Sequence, residues 1–394
     1  MAFWLRNWPS IHRIGRWVRR TFWGSLVEGF WEFARYFFAK NPRFGPPVKT
    51  FSVYQALRCG WPKFNGRIVL HDQGVPKVTG DSLLVTSGLE QHLEQPWPIF
   101  WSEHGNARLV SESLALLLPG KVLCIESAYN ERRWRIDPAS RYLRLPPPTK
   151  LAGNWTSIVS KWVPNLGFSN YGHWLVDALP RLALLPEFPP DTRIIVPPDL
   201  RPYQKESLEM LGVWDRCRLT PEVHLEIERY FFSSTVSMLA CYNPYMISFL
   251  RKTLLPKKDP NYSSPRKFFF LRTARRRPVQ NIEEITGFFR SKGWAIVKDM
   301  DLTLAQTIKL FSEAEVLCSN QGSNMTNVLF CPPGCTVMHL VPDNNLDGWI
   351  DWIAEVCQLN YHFSVVPCGG SDTTKIVIDL KHIEQFFASA GISL

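Results

Sequence analysis

Between residues 267 and 378 the chain alternates short apolar runs with amphipathic stretches of helical length, and this admits few architectures. Residues 267–271, 294–298, 314–319, 335–341, 362–366 and 375–378 read as strands. Residues 281–292, 303–312, 322–330 and 347–356 read as helices or helix starts. Strands joined by crossovers of this length pair in parallel, and such sheets hold ligands at the carboxyl ends of their strands. Residues 380–394 read as a closing helix. Upstream the rhythm is less regular, with strands expected at 67–70, 121–126, 157–163, 193–196 and 230–236. Helices are expected there at 170–185, 201–211 and 243–255, the first carrying Leu175, Ala178, Leu179, Leu182 and Leu185 on one stripe. Pro256, Pro260 and Pro265 mark 256–265 as a linker.

The first 45 residues differ from the rest. They hold eight basic side chains, Arg6, Arg13, Arg16, Arg19, Arg20, Arg35, Lys40 and Arg43, against Glu28 and Glu32 only. They therefore carry more than half of the chain's formal charge of +10. Apolar residues recur near the helical period from Ile11 to Phe37, with Arg13, Arg16 and Arg20 opposite them over the first turns. That pattern describes an amphipathic helix at an anionic membrane surface; a helix packed on its own domain is the other reading. Arginines interrupt every apolar stretch, which argues against both a secretory leader and a spanning helix. Outside this segment too little positive charge remains for a nucleic-acid face. The nine cysteines are scattered with no CxxC pair, so neither a disulfide framework nor a zinc site is expected, and a reducing compartment fits best. At 394 residues the chain has room for about two to three domains. The expected division is 1–45, an amphipathic surface segment; 46–255, an α/β domain; 256–265, the linker; 266–379, a domain of parallel βαβ units; and 380–394, the closing helix.

Three segments carry residue types suited to chemistry. In Asn170-Tyr171-Gly172-His173-Trp174-Leu175-Val176-Asp177 the imidazole and carboxylate stand four residues apart, so on a helix they share a face. Such a pair can act as a base with an orienting partner, or simply cap a buried turn. Arg272, Arg275, Arg276 and Arg277 follow the strand 267–271, where guanidinium groups can hold a pyrophosphate or form a solvated charge run. Ser319-Asn320-Gln321-Gly322-Ser323-Asn324-Met325-Thr326-Asn327 lies between a strand and a helix start, the position at which backbone N–H groups favour an anion. It matches neither phosphate-loop template. Asp299-Met300-Asp301 has the DxD spacing of a metal-sugar site but sits where a helix cap is expected at Thr303.

As an ordered set these segments resemble glycosyltransferase family 61, the capsular polysaccharide biosynthesis type. The family's His-Trp-x-x-Asp followed by Leu-Pro-Arg-Leu stands here as His173-Trp174-Leu175-Val176-Asp177 and Leu179-Pro180-Arg181-Leu182. Its strand-then-arginine segment matches Phe270-Leu271-Arg272 through Arg277, Asn281 and Glu283. Its His-Gly-Ala/Ser-x-Leu-Thr/Ser-Asn-x-x-Phe segment matches Gln321 to Phe330, with Gln321 in place of the family histidine. The resemblance implies an α/β, GT-B-like fold, with two Rossmann-like domains facing across a cleft, and an inverting sugar transfer from a nucleotide sugar, expected to be UDP-linked. It implies Asp177 and His173 as the base pair, with Asp177 favoured as the base and the roles open to exchange. Arg272, Arg277, Asn281, Gln321, Gly322, Ser323, Asn324, Thr326 and Asn327 would bind the donor. Asn170, Tyr171 and Trp174 would meet a glycan or glycolipid acceptor. Neither cofactor nor metal is expected. Together with the basic segment, this points to a bacterial enzyme peripheral on the inner, cytoplasmic face of the membrane, acting in capsule or lipopolysaccharide synthesis. A catalytically silent scaffold of the same fold, or a protein that binds nucleotides or nucleic acid, are the other classes open to the sequence.

Overall fold

The computed structural model describes residues 49–61, 65–70, 98–128, 139, 144–160, 163–165, 170–234, 237–238, 241–272, 279–344, 346, 348–367 and 376–394. The amphipathic segment 1–45 and the arginines 275–277 lie outside them. The front of the chain forms a nine-stranded sheet. Its strands are β1 (Lys49–Phe51), β2 (Asn65–Leu70), β3 (Ile99–Val110), β4 (Ala115–Leu118), β5 (Val122–Cys124), β6 (Thr149–Ser157), β7 (Arg193–Val196), β8 (Cys217–Leu219) and β9 (His224–Ser233). They lie in the order β1-β5-β4-β3-β9-β6-β7-β8, with β2 also paired to β3.

This front sheet is mixed, where a Rossmann-like half was expected. The strands β6, β7 and β8, linked through helical segments, pair in parallel. Those linked by tight turns, β3 to β4 and β4 to β5, pair antiparallel. Short connections force that choice, and here they use positive backbone φ at Ser111, Leu114, Gly120 and Lys121. The longest strand, β3, is missing from the sequence expectations because a polar middle, Ser102 to Asn106, interrupts its apolar ends. The pairing with β9 accounts for that middle, since Glu103 takes an ion pair with Arg229. The strand expected at 157–163 instead ends at Ser157, and Ser160 and Val163 close a turn through reciprocal backbone bonds. The strand expected at 230–236 begins earlier, at His224.

A two-stranded ribbon, β10 (Ser237–Met238) and β11 (Cys241–Tyr242), precedes the second sheet. That sheet holds β12 (Lys267–Leu271), β13 (Ala295–Lys298), β14 (Val316–Asn320), β15 (Thr336–Pro342) and β16 (Asn360–Val366), all parallel, in the order β13-β12-β14-β15-β16. Both of its faces are covered, which explains the unbroken run Phe268-Phe269-Phe270. Phe268 and Phe270 enter the core on one face, and Phe269 stacks on Phe289 on the other. Helices Ile282–Ser291 and Leu380–Ser389 cover that second face through Ile285, Phe289, Ile383 and Phe387. Of the strand expected at 375–378, residue 375 lies outside the described residues, and Ile376 makes an isolated bridge to Val279.

Between the two sheets runs one contiguous core. It joins Ile194, Val196 and Phe231 of the front sheet to Phe268, Leu317 and Val337 of the second. The helical segment from Tyr171, and helices Pro202–Met210, Pro244–Leu254, Leu304–Ser312 and Trp349–Val356, fill the space between. Polar clamps reinforce this packing. Glu206 accepts the Leu304 and Ala305 N–H groups at 2.8 and 2.9 Å, meeting the first turn of helix Leu304–Ser312 across the interface, while Thr303 and Gln306 form its capping box. Arg251 donates to the Leu329 and Cys331 carbonyls. The stretch 256–265 is held along the same helix by Asp259 N–H to Ala305 O and by Lys309 Nζ to Pro260 O. No helix among the described residues is long and apolar enough to cross a membrane. The cysteines that can be described are free, five of them buried.

One buried histidine sets an acid limit on this core. His339 on β15 is fully buried, bonds Tyr361 Oη through Nδ1 at 2.7 Å, and has its pKa pushed down to about 3 by burial. The folded state holds it neutral, whereas the unfolded chain protonates it near pH 6.5, so its contribution is full above that pH and falls away below it. Stability should therefore drop by about 1.4 kcal/mol per pH unit from this residue between pH 6.5 and the folded pKa. Thermal melts from pH 7 to 4 should show a shallower decline for His339→Gln than for the native chain. Parallel declines would remove His339 from the account.

Candidate active site

The strand order of the second sheet fixes where a ligand can sit. From β12 the chain steps outward to β13 and then returns to the other side of β12 as β14, so the direction of winding reverses between β12 and β14. At such a reversal the connecting segments leave in opposite directions, and a crevice opens at the strand carboxyl ends. Arg272 follows β12 at this point, and Asn320 ends β14 beside it, with Gln321 and Gly322 next in the chain. Arg272 Nη1 donates to the Gln321 carbonyl at 3.2 Å. Its Cδ and Nε lie within 2.8 Å of where a Cβ on Gly322 would stand, and Asn324 Oδ1 lies 2.7 Å from the same point. Gly322 is extended, so the glycine answers to space and not to backbone conformation. The 3-10 helix Ser323–Phe330 then leads away, its Thr326 and Asn327 side chains bonded back to the Ser323 and Asn324 carbonyls.

The histidine segment docks on this turn. Asn170 caps Tyr171–His173 by accepting the Gly172 N–H at 2.8 Å, and the chain continues through a π-type turn, Trp174–Ala178, into the 3-10 run Leu179–Glu187. Pro180 and Pro186 within that run limit regular α-helical bonding. Tyr171 Oη donates to Asn327 Oδ1 at 2.7 Å, and burial raises the phenol's pKa, so it donates in its neutral form. Beside it, Gly172 presses so close that a Cβ would stand 2.8 Å from Thr326 Oγ1 and 3.6 Å from Ser323 Cβ. The next residue, His173, bonds Asp177 Oδ2 through Nδ1 at 2.5 Å. One third of the His173 side chain meets solvent against 7% of Asp177. Imidazole, carboxylate and the turn 320–327 are thus joined through direct contacts of neighbouring residues.

Residues 171–338 match the Glycosyltransferase 61 family model. The match opens at the tyrosine that docks the two segments and closes within β15, so it takes in His173, Asp177, Arg272 and the whole turn 320–327. It spans less than half of the 394-residue chain, and over that span the resemblance to glycosyltransferase family 61 holds. No curated protein matches the chain. The Glycosyltransferase 61 match supports a transferase activity that uses a sugar donor and an acceptor.

Within this Glycosyltransferase 61 segment, several side chains singled out from the sequence have structural employment. Trp174 is fully buried and donates to Ser207 Oγ at 2.9 Å, so it has no surface with which to meet an acceptor. Asn281 uses both ends of its amide on the Ile378 backbone, at 2.8 and 3.1 Å, tying the stretch before the last helix to the start of helix Ile282–Ser291. Thr326 and Asn327 are buried and joined to the turn and to Tyr171. Arg277 lies outside the described residues. Asp299 and Asp301 belong to a short 3-10 turn ahead of the Thr303 cap. No group of three or more metal-ligating side chains gathers among the described residues. Two residues stand in the quoted motifs without having been singled out as site candidates. Arg181, eight positions beyond His173, is buried near Asp177; burial lowers its pKa against the raising influence of Tyr230 and Asp177. Its spacing from Asp177 was the available signal. Asn320, at the end of β14, is buried with its side-chain amide oxygen unpartnered.

Proposed function

We propose that the protein is an inverting glycosyltransferase that passes a sugar from a nucleotide-sugar donor to a hydroxyl of a glycan or glycolipid acceptor. The observation that carries this reading is the Tyr171–Asn327 hydrogen bond, which brings the His173–Asp177 pair to the turn beside Arg272. In this reading His173 is the base and Asp177 its orienting partner, because the carboxylate is buried behind a ring that reaches solvent. A proton leaving the acceptor hydroxyl goes to Nε2, the ring nitrogen not bonded to Asp177, and the carboxylate stabilises the imidazolium that forms. The acceptor oxygen attacks the anomeric carbon from the face opposite the leaving group, and the bond from that carbon to the phosphate oxygen breaks. Arg272 offsets the charge gathering on the departing nucleoside diphosphate. The basic aromatic segment 1–45 fits attachment to an anionic membrane surface, and synthesis of surface polysaccharide on the inner face of the cytoplasmic membrane is the proposed setting.

The test is release of nucleoside diphosphate from a panel of nucleotide sugars in the presence of glycan acceptors, joined to calorimetric titration of the donor that turns over. Arg272→Ala should weaken that donor by about 10- to 100-fold, the range of a charge-assisted hydrogen bond. Unchanged affinity in a variant that melts like the native chain would remove Arg272 from the phosphate role. Absence of turnover and of binding across the panel would end the reading as a whole.

A further inference from the structure

The turn after β14 contains four buried polar atoms without a hydrogen-bond partner: Asn320 Oδ1, Gln321 Oε1, and both Oδ1 and Nδ2 of Asn324. The three side chains are at least nine-tenths buried. Unpaired amides at such depth cost folding free energy, and they cluster within five residues beside Arg272. Their chemistry is lopsided, with three carbonyl acceptors to one N–H₂ donor. A phosphate ionised at neutral pH has oxygens that accept and none that donate, so it meets Arg272 well and these carbonyls badly. Vicinal hydroxyls suit them, because each hydroxyl donates to a carbonyl and still accepts from an amide N–H.

We propose that Asn320, Gln321 and Asn324 form a subsite for a vicinal diol of the donor, adjoining a phosphate subsite at Arg272. This rests on the glycosyltransferase reading and divides the turn's work: the guanidinium takes the diphosphate and the amides take sugar hydroxyls. The neutral side chain of Gln321 suits this division, since it adds a carbonyl acceptor and no charge at the end of β14.

Two sources of the diol are open, the ribose of the nucleotide and the transferred sugar, and binding to the full chain separates them. The ligands are the nucleoside diphosphate among UDP, GDP and ADP that raises the melting temperature most, its 2′,3′-dideoxy analogue, its nucleotide sugar, and inorganic pyrophosphate. The variants are Gln321→Leu and Asn324→Leu. Without ligand each should melt at or above the native temperature, because an unpaired buried amide has been removed; a clear fall would show that the amide has a structural partner and would overturn the proposal. With ligand each should weaken the diol-bearing compound about tenfold per lost bond and leave pyrophosphate unchanged. Loss with the nucleoside diphosphate but not with its dideoxy analogue assigns the subsite to ribose; loss confined to the nucleotide sugar assigns it to the transferred sugar. Equal weakening of dideoxy analogue and pyrophosphate would show that the amides hold phosphate, and no change with any ligand would show that they hold none; either overturns the proposal. If no nucleotide or nucleotide sugar binds the native chain, the glycosyltransferase reading itself has failed.

Discussion

Replacing His173 with alanine is expected to lower sugar transfer by about 10²- to 10⁴-fold, the range for a lost general base, while donor affinity stays unchanged. Tyr171 and Gly172 make the contacts with the turn described above, so removing the His173 ring leaves the Tyr171–Asn327 bond and the Arg272 contact in place. Asp177→Asn should also lower turnover, because an amide no longer stabilises the imidazolium formed when Nε2 takes a proton. Single-turnover kinetics with the donor and acceptor found in the panel would check both. If the His173 variant keeps its rate and the Asp177 variant does not, the carboxylate is the base and the order argued from burial is reversed.

Substituting Gly172 should have the second large effect. Gly172→Ala places a methyl group 2.8 Å from Thr326 Oγ1 and 3.3 Å from Asn170 Oδ1. Neither neighbour can withdraw cheaply. Thr326 is fully buried and bonded to the Ser323 carbonyl, and the Asn170 oxygen is the cap that starts the segment. Overpacking of this kind costs about 1–3 kcal/mol. The strain falls where the histidine segment meets the turn, so turnover should decline more steeply than melting temperature, with donor affinity nearly retained. A variant with native turnover and native melting temperature would show that the contact is not needed for registration. The comparison with Gly322 is instructive. There the crowding atoms belong partly to the long Arg272 side chain, so an alanine would displace that guanidinium, and with it the proposed phosphate contact, before it disturbs the packing.

The second sheet was legible because burial on both faces writes a continuous apolar run, as in Phe268-Phe269-Phe270 or the wholly buried β15, and helices of clear period separate those runs. In the front sheet β3 escaped because its polar middle is matched by a partner strand more than a hundred residues away, through Glu103 and Arg229. The same division holds for the site. The spacing of His173 and Asp177, and the small polar turn from Ser319 to Asn327, are local and could be read from the sequence. That the two segments touch depends on Tyr171 meeting Asn327 across 156 positions, which no local pattern encodes. Trp174 and Asn281 show a related limit: an aromatic ring or an amide looks the same in sequence whether or not it is engaged within the fold, as these are with Ser207 and the Ile378 backbone.

The uninterrupted interior shared by the two sheets bears on how the molecule comes into being. Severing the chain in 256–265 would bare an apolar face on each piece, Ile194 and Val196 on one and Leu317 and Val337 on the other, although each keeps a smaller core of its own. The parts of the chain before and after that stretch therefore shield this shared interior from water for one another. The turn that the histidine segment meets is supplied only by the later part of the chain.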